Sequence, residues 1–161
     1  MMNKNRLHEA ALDFEVDTVA LGPFRADDIT RGVCRHLRNR RYSPLTEFRL
    51  ISNRRVDVAA MDRKGRFIVV EVKSSVRDFQ ADNKWPDYLP HCDRFYFAVA
   101  GGFPAEILPD DVGILVADAY DAAILRDASE VKMNAARRRT QIVRFAQTAA
   151  DRLHRVNDPQ L

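Results

Sequence analysis

The sequence predicts an α/β fold in which a mixed β-sheet is covered by helices on both faces. Residues 55–75 form two apolar runs joined by a tight turn, and a helical pattern and a further apolar run at 94–100 follow them. An antiparallel meander followed by a crossover helix produces a mixed sheet, and strands that are apolar on both sides need cover on both sides. Amphipathic patterns at 27–41 and 134–156 supply the covering helices.

Composition favours one domain of ordinary size. The 161 residues are 46% hydrophobic and 30% charged, which suits a single globular domain with a hydrophobic core. We assign this domain to residues 27–156. The mixed segment 1–26, which contains Gly22-Pro23 near its end, is interpreted as an N-terminal arm, and residues 157–161 are interpreted as a C-terminal tail.

The N-terminal residues, the cysteines and the net charge indicate where the protein acts and which partners it can have. The opening run MMNKNRLHEAALDF lacks the apolar region of a signal peptide, and no stretch approaches the roughly 18 apolar residues that span a bilayer. We therefore expect a soluble cytoplasmic protein with no membrane partner. Cys34 and Cys92 lack metal-ligand spacing, which predicts reduced thiols. A net charge of +3 permits a polyanionic partner without requiring one.

The first predicted elements are a helix and a strand. Residues 27–41 place apolar residues on one stripe of a helix and arginines around it. Asp27 and Asp28 are suited to cap the N-terminus of this helix. Pro44 then interrupts the chain before the strand LTEFRLI, residues 45–51.

The central hairpin has a predictable register. Its turn, the DRKG of residues 62–65, has glycine where a type I turn is followed by a left-handed residue, so the first turn residue pairs with Arg66. Counting back along both strands places Asp57 opposite Glu71. Lys73 lies two residues farther along its strand and therefore on the same face as the two carboxylates.

The second half of the chain predicts two more helices and three more strands. Ser74 and Ser75 can cap a helix over residues 76–88, RFYFAVA at 94–100 is a buried strand, and VGILVADAY with DAAILRD forms a second hairpin. The final helix covers residues 134–156. Its predicted apolar face consists of Ala136, Val143, Ala146, Ala150 and Leu153.

Asp57, Glu71 and Lys73 are charged residues within otherwise apolar strands. Directly opposed residues of antiparallel strands have Cβ atoms about 4.5 to 5.5 Å apart, so two carboxylates there repel unless a positive group lies between them. Two oxygen ligands with open positions suit Mg²⁺ or Mn²⁺, which complete their coordination with water and phosphate oxygens. Lys73 can orient or deprotonate a water, or stabilise charge on a phosphate. The alternative is structural, with ion pairs of Lys73 with Glu71 and of Arg55 with Asp57.

These residues resemble a known pattern. An acidic residue on one strand and Glu71-Val72-Lys73 on the next resemble the signature of the PD-(D/E)XK nuclease superfamily. The run SSVRDFQADNKWPDYLPHCDRFYFAV, residues 74–99, together with TRGVCRHL at 30–37, is similar to the small bacterial MmcB-type DNA-repair proteins assigned to that superfamily. The resemblance covers most of the chain.

The resemblance implies a restriction-endonuclease-like core in which Asp57 and Glu71 bind Mg²⁺ or Mn²⁺ and Lys73 is the third catalytic residue. Val56 stands where the superfamily name has proline. Many members carry a further acidic residue on the first helix. Glu47 is the best substitute for that third metal ligand here, and the alternative for Glu47 is an ordinary carboxylate at a strand edge.

Substrate contacts are expected from two helices. Some nucleases of this superfamily carry a glutamine and a tyrosine four residues apart on the helix after the signature, and Lys84 and Tyr88 resemble that pair with lysine in place of glutamine. A lysine there can bind a phosphate as a point charge. Arg31 and Arg35 of the first helix are expected to contact the flanking backbone. The alternatives are core packing for Tyr88 and a solvated surface for the three basic residues.

The residues and the resemblance together predict a Mg²⁺-dependent deoxyribonuclease that acts in DNA repair, with DNA as its partner. A catalytically inactive nucleic-acid-binding or scaffold protein with the same fold is the alternative, and RNA is also a compatible substrate. A homodimer and a complex with another repair protein both stay open.

Overall fold

The computed structural model describes residues 25–159. The predicted N-terminal arm lies outside the described residues, except for its last two positions. Within residues 25–159, no helix is both long and apolar enough to cross a membrane.

A six-stranded mixed sheet forms the centre of the fold, with strands in the order β1-β2-β3-β4-β5-β6. The first three strands and the last two are antiparallel, whereas β3, β4 and β5 run parallel. The elements are α1 (Ala26–Asn39), β1 (Ser43–Arg49), β2 (Arg55–Met61), β3 (Phe67–Lys73), α2 (Val76–Ala81), a 3₁₀ helix (Trp85–His91), β4 (Arg94–Val99), a short 3₁₀ turn (Ala105–Ile107), β5 (Gly113–Ala117), β6 (Ala122–Arg126) and α3 (Ala135–Asn157). This architecture confirms the predicted α/β fold and is consistent with a restriction-endonuclease-like core.

The β2–β3 hairpin has the predicted register. The amide of Asp62 donates to the carbonyl of Arg66 at 3.0 Å, and Gly65 has a φ of +73°, the left-handed conformation that the turn requires. From this closure the ladder runs regularly to the pair formed by Val58 and Val70. The turn chemistry therefore decides which side chains of β2 and β3 face each other.

Helices cover the two faces of the sheet differently. On one face, α1 buries its predicted stripe of Ile29, Val33 and Leu37 against the apolar residues of the strands. On the other face, the ring of Phe145 of α3 packs edge-on against an aromatic ring of β1 and one of β3, with ring centroids 5.4 and 5.6 Å apart. The middle strands are consequently buried on both sides, as their composition predicts.

The predicted apolar face of α3 is wrong. Val143 and Leu153 are 52% and 62% exposed, and the helix buries Gln141 and Phe145 instead. In addition to the packing of the Phe145 ring, arginine side chains of α3 donate hydrogen bonds to backbone carbonyls, including one from Arg152 to Thr46 O at 2.6 Å. The periodicity of the sequence selected a stripe of small and aliphatic residues, which is exposed. The stripe that faces the sheet is held there by one aromatic ring and by arginine guanidinium groups. The other members of the predicted face, Ala136, Ala146 and Ala150, are also exposed.

The predicted helix over residues 76–88 is broken in two. The α-helical part ends at Ala81, Asp82 has an extended backbone, and a 3₁₀ helix begins at Trp85. Pro86 and Pro90 lack amide hydrogens and cannot continue an α-helix. Lys84 and Tyr88 therefore do not share one α-helical stripe, although both still reach the same cleft.

Candidate active site

The strands β2 and β3 separate where they carry Asp57 and Glu71. Beyond the pair Val58–Val70 the backbone ladder stops, and carboxylates take over its hydrogen bonds. The amide of Val72 donates to Asp57 Oδ2 at 2.7 Å, and the amide of Asp57 donates to Glu71 Oε2 at 3.4 Å. Each acid is thus held at the opening by a backbone amide near the other acid.

Burial and mutual repulsion perturb the two acids. Glu71 is 8% exposed, and burial together with the charge of Asp57 raises its pKa from the ordinary 4.5 to about 8. Burial also raises the pKa of Asp57, although the hydrogen bond from Val72 acts in the opposite direction. The site therefore resists carrying two negative charges at neutral pH unless a cation is added.

Lys73 lies on the same face and is also buried, with 4% of its surface exposed. Its Nζ lies 2.6 Å from Asp82 Oδ2. On the neighbouring strands, Arg55 Nε lies 2.7 Å from Glu47 Oε2. These are the ion pairs that form among the described residues, in place of the alternative pairing of Lys73 with Glu71 and Arg55 with Asp57.

Asp82 is the partner of Lys73, and the sequence analysis assigned it no role. Burial acts to raise the pKa of Asp82, but hydrogen bonds from Lys73 and from the amide of Lys84 outweigh burial and lower it. Asp82 can make both hydrogen bonds because α2 ends at Ala81 and the backbone of Asp82 is extended. A signal was available in the sequence, since a lysine in a buried strand needs a carboxylate, and Asp82 is one of three acids within the predicted helix over residues 76–88.

An open cleft of about 250 Å³ lies beside these groups. Lys84 is exposed at its rim, and its amide donates to Asp82 Oδ1 at 2.8 Å. Tyr88 is buried in the wall, and burial together with the charge of Glu71 raises its pKa to about 12. The cleft is lined by Glu71, Lys73, Asp78, Ala81, Asp82, Lys84 and Tyr88.

Glu47 lies near the two acids but does not complete a ligand set with them. Its φ of +49° interrupts β1 beside Asp57, and the charge of Glu47 contributes to the raised pKa of Asp57. The carboxylate of Glu47 is engaged by Arg55, and Arg152 Nη2 donates to its carbonyl at 3.0 Å. Within the part of the chain that the structure describes, no three His, Cys, Asp or Glu side chains stand together as metal ligands.

Arg31 and Arg35 lie away from the cleft. Both are exposed on α1, which covers the face of the sheet opposite to Glu71 and Lys73. Arg35 Nη1 donates to Ala119 O at 3.3 Å, and its guanidinium lies 5.9 Å from the ring centre of Tyr120. The structure therefore places Arg35 at the turn between β5 and β6, and its contact with substrate stays a prediction.

The two opposed carboxylates suit a divalent cation. Asp57 Oδ1 and Glu71 Oε1 accept no hydrogen bond from residues 25–159, so each acid keeps one oxygen for a ligand. Two carboxylate oxygens match Mg²⁺, which proteins often bind through one or two carboxylates while the ion keeps several waters. A positive charge placed beside both acids would oppose the repulsion from Asp57 that contributes to the raised pKa of Glu71.

The fold and these residues define an α/β protein with a restriction-endonuclease-like core and a cleft that combines opposed carboxylates with a buried lysine. The chain belongs to the MmcB-like family of DNA repair proteins, because the family model described as DNA repair protein MmcB-like matches residues 21–160. Its membership indicates a role in DNA repair.

One solved structure is similar to this chain over most of its length. It is a protein of unknown function from Silicibacter pomeroyi, which is 47% identical, with a TM-score of 0.81. The match covers 88% of this chain and 96% of that chain. No curated protein matches the chain.

Proposed function

We propose that the protein is a metal-dependent DNA nuclease of the PD-(D/E)XK type that hydrolyses a phosphodiester bond during DNA repair. One observation carries the proposal: the ladder between β2 and β3 opens where Asp57 and Glu71 oppose each other, and Lys73 lies buried on the same face. The acidic pair and the lysine are the residue types that phosphodiester hydrolysis needs, and the open cleft beside them admits a polymer backbone.

Asp57 and Glu71 would hold the Mg²⁺ or Mn²⁺, with Glu47 as a further ligand if its carboxylate leaves Arg55. The bound ion would polarise a phosphoryl oxygen and lower the pKa of an attacking water. Lys73 carries three N–H donors, of which Asp82 accepts one at 2.6 Å. The other two donors make no hydrogen bond within residues 25–159, and they could orient the water or stabilise the charge that develops on the phosphate.

Asp82 positions the lysine in this scheme. Its Oδ2 accepts from Lys73, and its Oδ1 accepts from the amide of Lys84. This bridge links the buried ammonium group to the rim of the cleft. Lys84 itself is exposed there and is placed to bind a phosphate of the backbone as a point charge.

An inactive nucleic-acid-binding protein is the second candidate. Two observations favour it: both acids accept backbone amides, and the residues described by the structure assemble no three-ligand group. In that case the charged cluster would serve binding or stability without chemistry, and the family role in DNA repair would be that of a scaffold.

A cleavage assay separates the two candidates. Wild-type protein is incubated with branched, nicked and single-stranded DNA, and with matching RNA, in Mg²⁺ or Mn²⁺. Asp57→Asn removes one charge from the acidic pair, and Asp151→Asn removes the same charge from an exposed position of α3. We expect the wild type and Asp151→Asn to cut DNA and Asp57→Asn to be inactive. Binding of DNA without cleavage of any substrate would favour the scaffold, and cleavage of RNA alone would assign the other substrate.

A further inference from the structure

A second cavity lies at the opposite end of the β2–β3 hairpin. It has a volume of about 600 Å³ and opens between the C-terminus of α1, the start of β1 and the hairpin turn. Asp57 and Met61 are four residues apart on β2, so the cavity wall at Met61 is about 13 Å along the strand from the acidic pair. The cavity, here called the arginine pocket, is lined chiefly by Arg38, Arg41, Tyr42, Ser43, Asp62 and Arg63.

Three arginines of the pocket have no carboxylate partner within residues 25–159. Arg38, Arg41 and Arg63 are exposed, and none of them forms an ion pair or a side-chain hydrogen bond with the residues that the structure describes. The neighbouring Arg66, by contrast, pairs with Asp62 at 2.7 Å. The pocket thus collects guanidinium groups whose hydrogen-bonding capacity is still available.

The acid of the pocket does not neutralise them. The Asp62 carboxylate accepts from the amides of Lys64 and Arg66 at 2.8 and 2.9 Å, and from Arg66 Nε at 2.7 Å. Burial acts to raise the pKa of Asp62, but these hydrogen bonds outweigh burial and lower it. The Asp62 carboxylate is therefore paired with groups of the hairpin turn. It does not offset the charges of Arg38, Arg41 and Arg63, so the net charge of the pocket is positive.

The backbone at Arg41 ends α1 and places this arginine in the pocket wall. Arg41 has a φ of +66°, a left-handed conformation at the end of a helix that usually selects glycine or asparagine. The amide of Tyr42 donates to Leu37 O at 2.9 Å, which fixes the chain directly after this residue. The left-handed conformation is that of a helix C-cap motif, and the turn it makes carries Arg41 from the end of α1 to the pocket.

We propose that the arginine pocket binds phosphate groups of a nucleic-acid strand at a distance from the cleft. Guanidinium groups recognise phosphate through paired hydrogen bonds, and Ser43 adds a hydroxyl to the same wall. The inference rests on the proposed action on DNA, and it assigns a separate anchoring site that needs no metal. Contacts of this kind supply affinity that is independent of sequence and weakens as salt rises.

Binding in a salt series without divalent metal tests the pocket. Arg41→Gln/Arg63→Gln removes two pocket charges, and the control Arg139→Gln/Arg155→Gln removes two exposed charges of α3 that have no partner among the described residues. For duplex DNA, each lost phosphate contact lowers the slope of log K against log salt by about 0.9. We expect a fall of about 1.8 in the pocket variant and an unchanged slope in the control. Thermal melting checks that both variants are folded.

The possible results distinguish this inference from the nuclease proposal. If the wild type binds DNA and the pocket variant keeps its slope, the pocket inference is refuted while the nuclease proposal stands. Equal losses in both variants would show a general effect of net charge and would also refute it. If the wild type binds no nucleic acid, both proposals fail together.

Two competitors identify the chemistry of the ligand. Inorganic phosphate is titrated into both proteins by calorimetry, and polyglutamate is used to displace labelled DNA. Binding of inorganic phosphate in the wild type that is weakened in the pocket variant, together with the lower DNA slope, supports the proposal. Binding of phosphate with no change in the DNA slope would assign the pocket to the free ion and overturn it. Displacement by polyglutamate that depends on Arg41 and Arg63 would assign it to an acidic polypeptide and also overturn it.

Discussion

Glu71→Gln is expected to stabilise the protein in mildly alkaline solution. In the unfolded chain Glu71 loses its proton near the ordinary pKa of 4.5, whereas in the folded protein it keeps the proton until about pH 8. Between these values the folded state binds more protons than the unfolded state, so the stability of the wild type falls as the pH rises. The difference between the two pKa values of Glu71 corresponds to about 5 kcal/mol of unfolding free energy. This figure is an upper limit, because Glu71 and Asp57 titrate as a coupled pair and part of the shift belongs to Asp57.

The glutamine variant removes this pH dependence while keeping the local hydrogen bond. Its amide oxygen can still accept from the amide of Asp57, and it stays neutral at every pH. Urea denaturation of both proteins from pH 5 to pH 9 measures the free energy of unfolding. We expect similar values near pH 5 and a gain of several kcal/mol for the variant at pH 9. His91, whose pKa burial lowers, is present in both proteins and cancels in the comparison.

A matched control and a metal arm complete the experiment. Glu106→Gln changes an exposed glutamate with no partner among the described residues and should track the wild type at every pH. Millimolar Mg²⁺ or Mn²⁺ should restore stability to the wild type at pH 8 and leave Glu71→Gln nearly unchanged, because binding to the folded state alone stabilises it. Parallel pH profiles for the wild type and Glu71→Gln would refute the reasoning.

Three further predictions concern the groups around the cleft. Lys73→Met should lower DNA cleavage by about 10²-fold or more with DNA binding retained; cleavage at the wild-type rate would make Lys73 structural. Asp82→Asn should lower kcat and shift the pH profile of cleavage with KM nearly unchanged, because an acceptor for Lys73 remains but its charge is lost; a profile identical to the wild type would argue against positioning. Lys84→Ala should reduce the salt slope of DNA binding by about one unit for unrelated sequences alike. Lys132→Ala, at another exposed lysine, should not; loss on one sequence only would indicate base readout.

The hairpin was predictable because its information is local. A turn with glycine at the left-handed position decides the register, and the register places Asp57 opposite Glu71 without reference to the rest of the chain. The alternation of apolar residues then indicated cover on both faces. Lys73 followed from the period of a strand, and its burial followed from its position in the middle of the sheet.

The parts that failed depend on contacts between distant residues. The apolar stripe of α3 was misjudged because Phe145 packs between rings of β1 and β3, which no periodicity within α3 records. Asp82 was missed because its partner Lys73 is nine residues away across a helix break. The kink at Glu47 likewise depends on Arg152, whose guanidinium reaches its carbonyl from the far end of the chain.

The charge of Glu71 is the strongest argument that the cluster serves a ligand. Among the described residues, its side chain accepts one hydrogen bond, from the amide of Asp57 at the long distance of 3.4 Å, and a neutral glutamine could accept the same bond. Asp82 already provides the counterion of Lys73, so the lysine does not require Glu71 for its charge. What a neutral side chain cannot supply is a second negative oxygen beside Asp57. The proposed cation would give this carboxyl group a role, because a positive charge in the opening between β2 and β3 would offset the burial and the repulsion from Asp57 that raise its pKa to about 8.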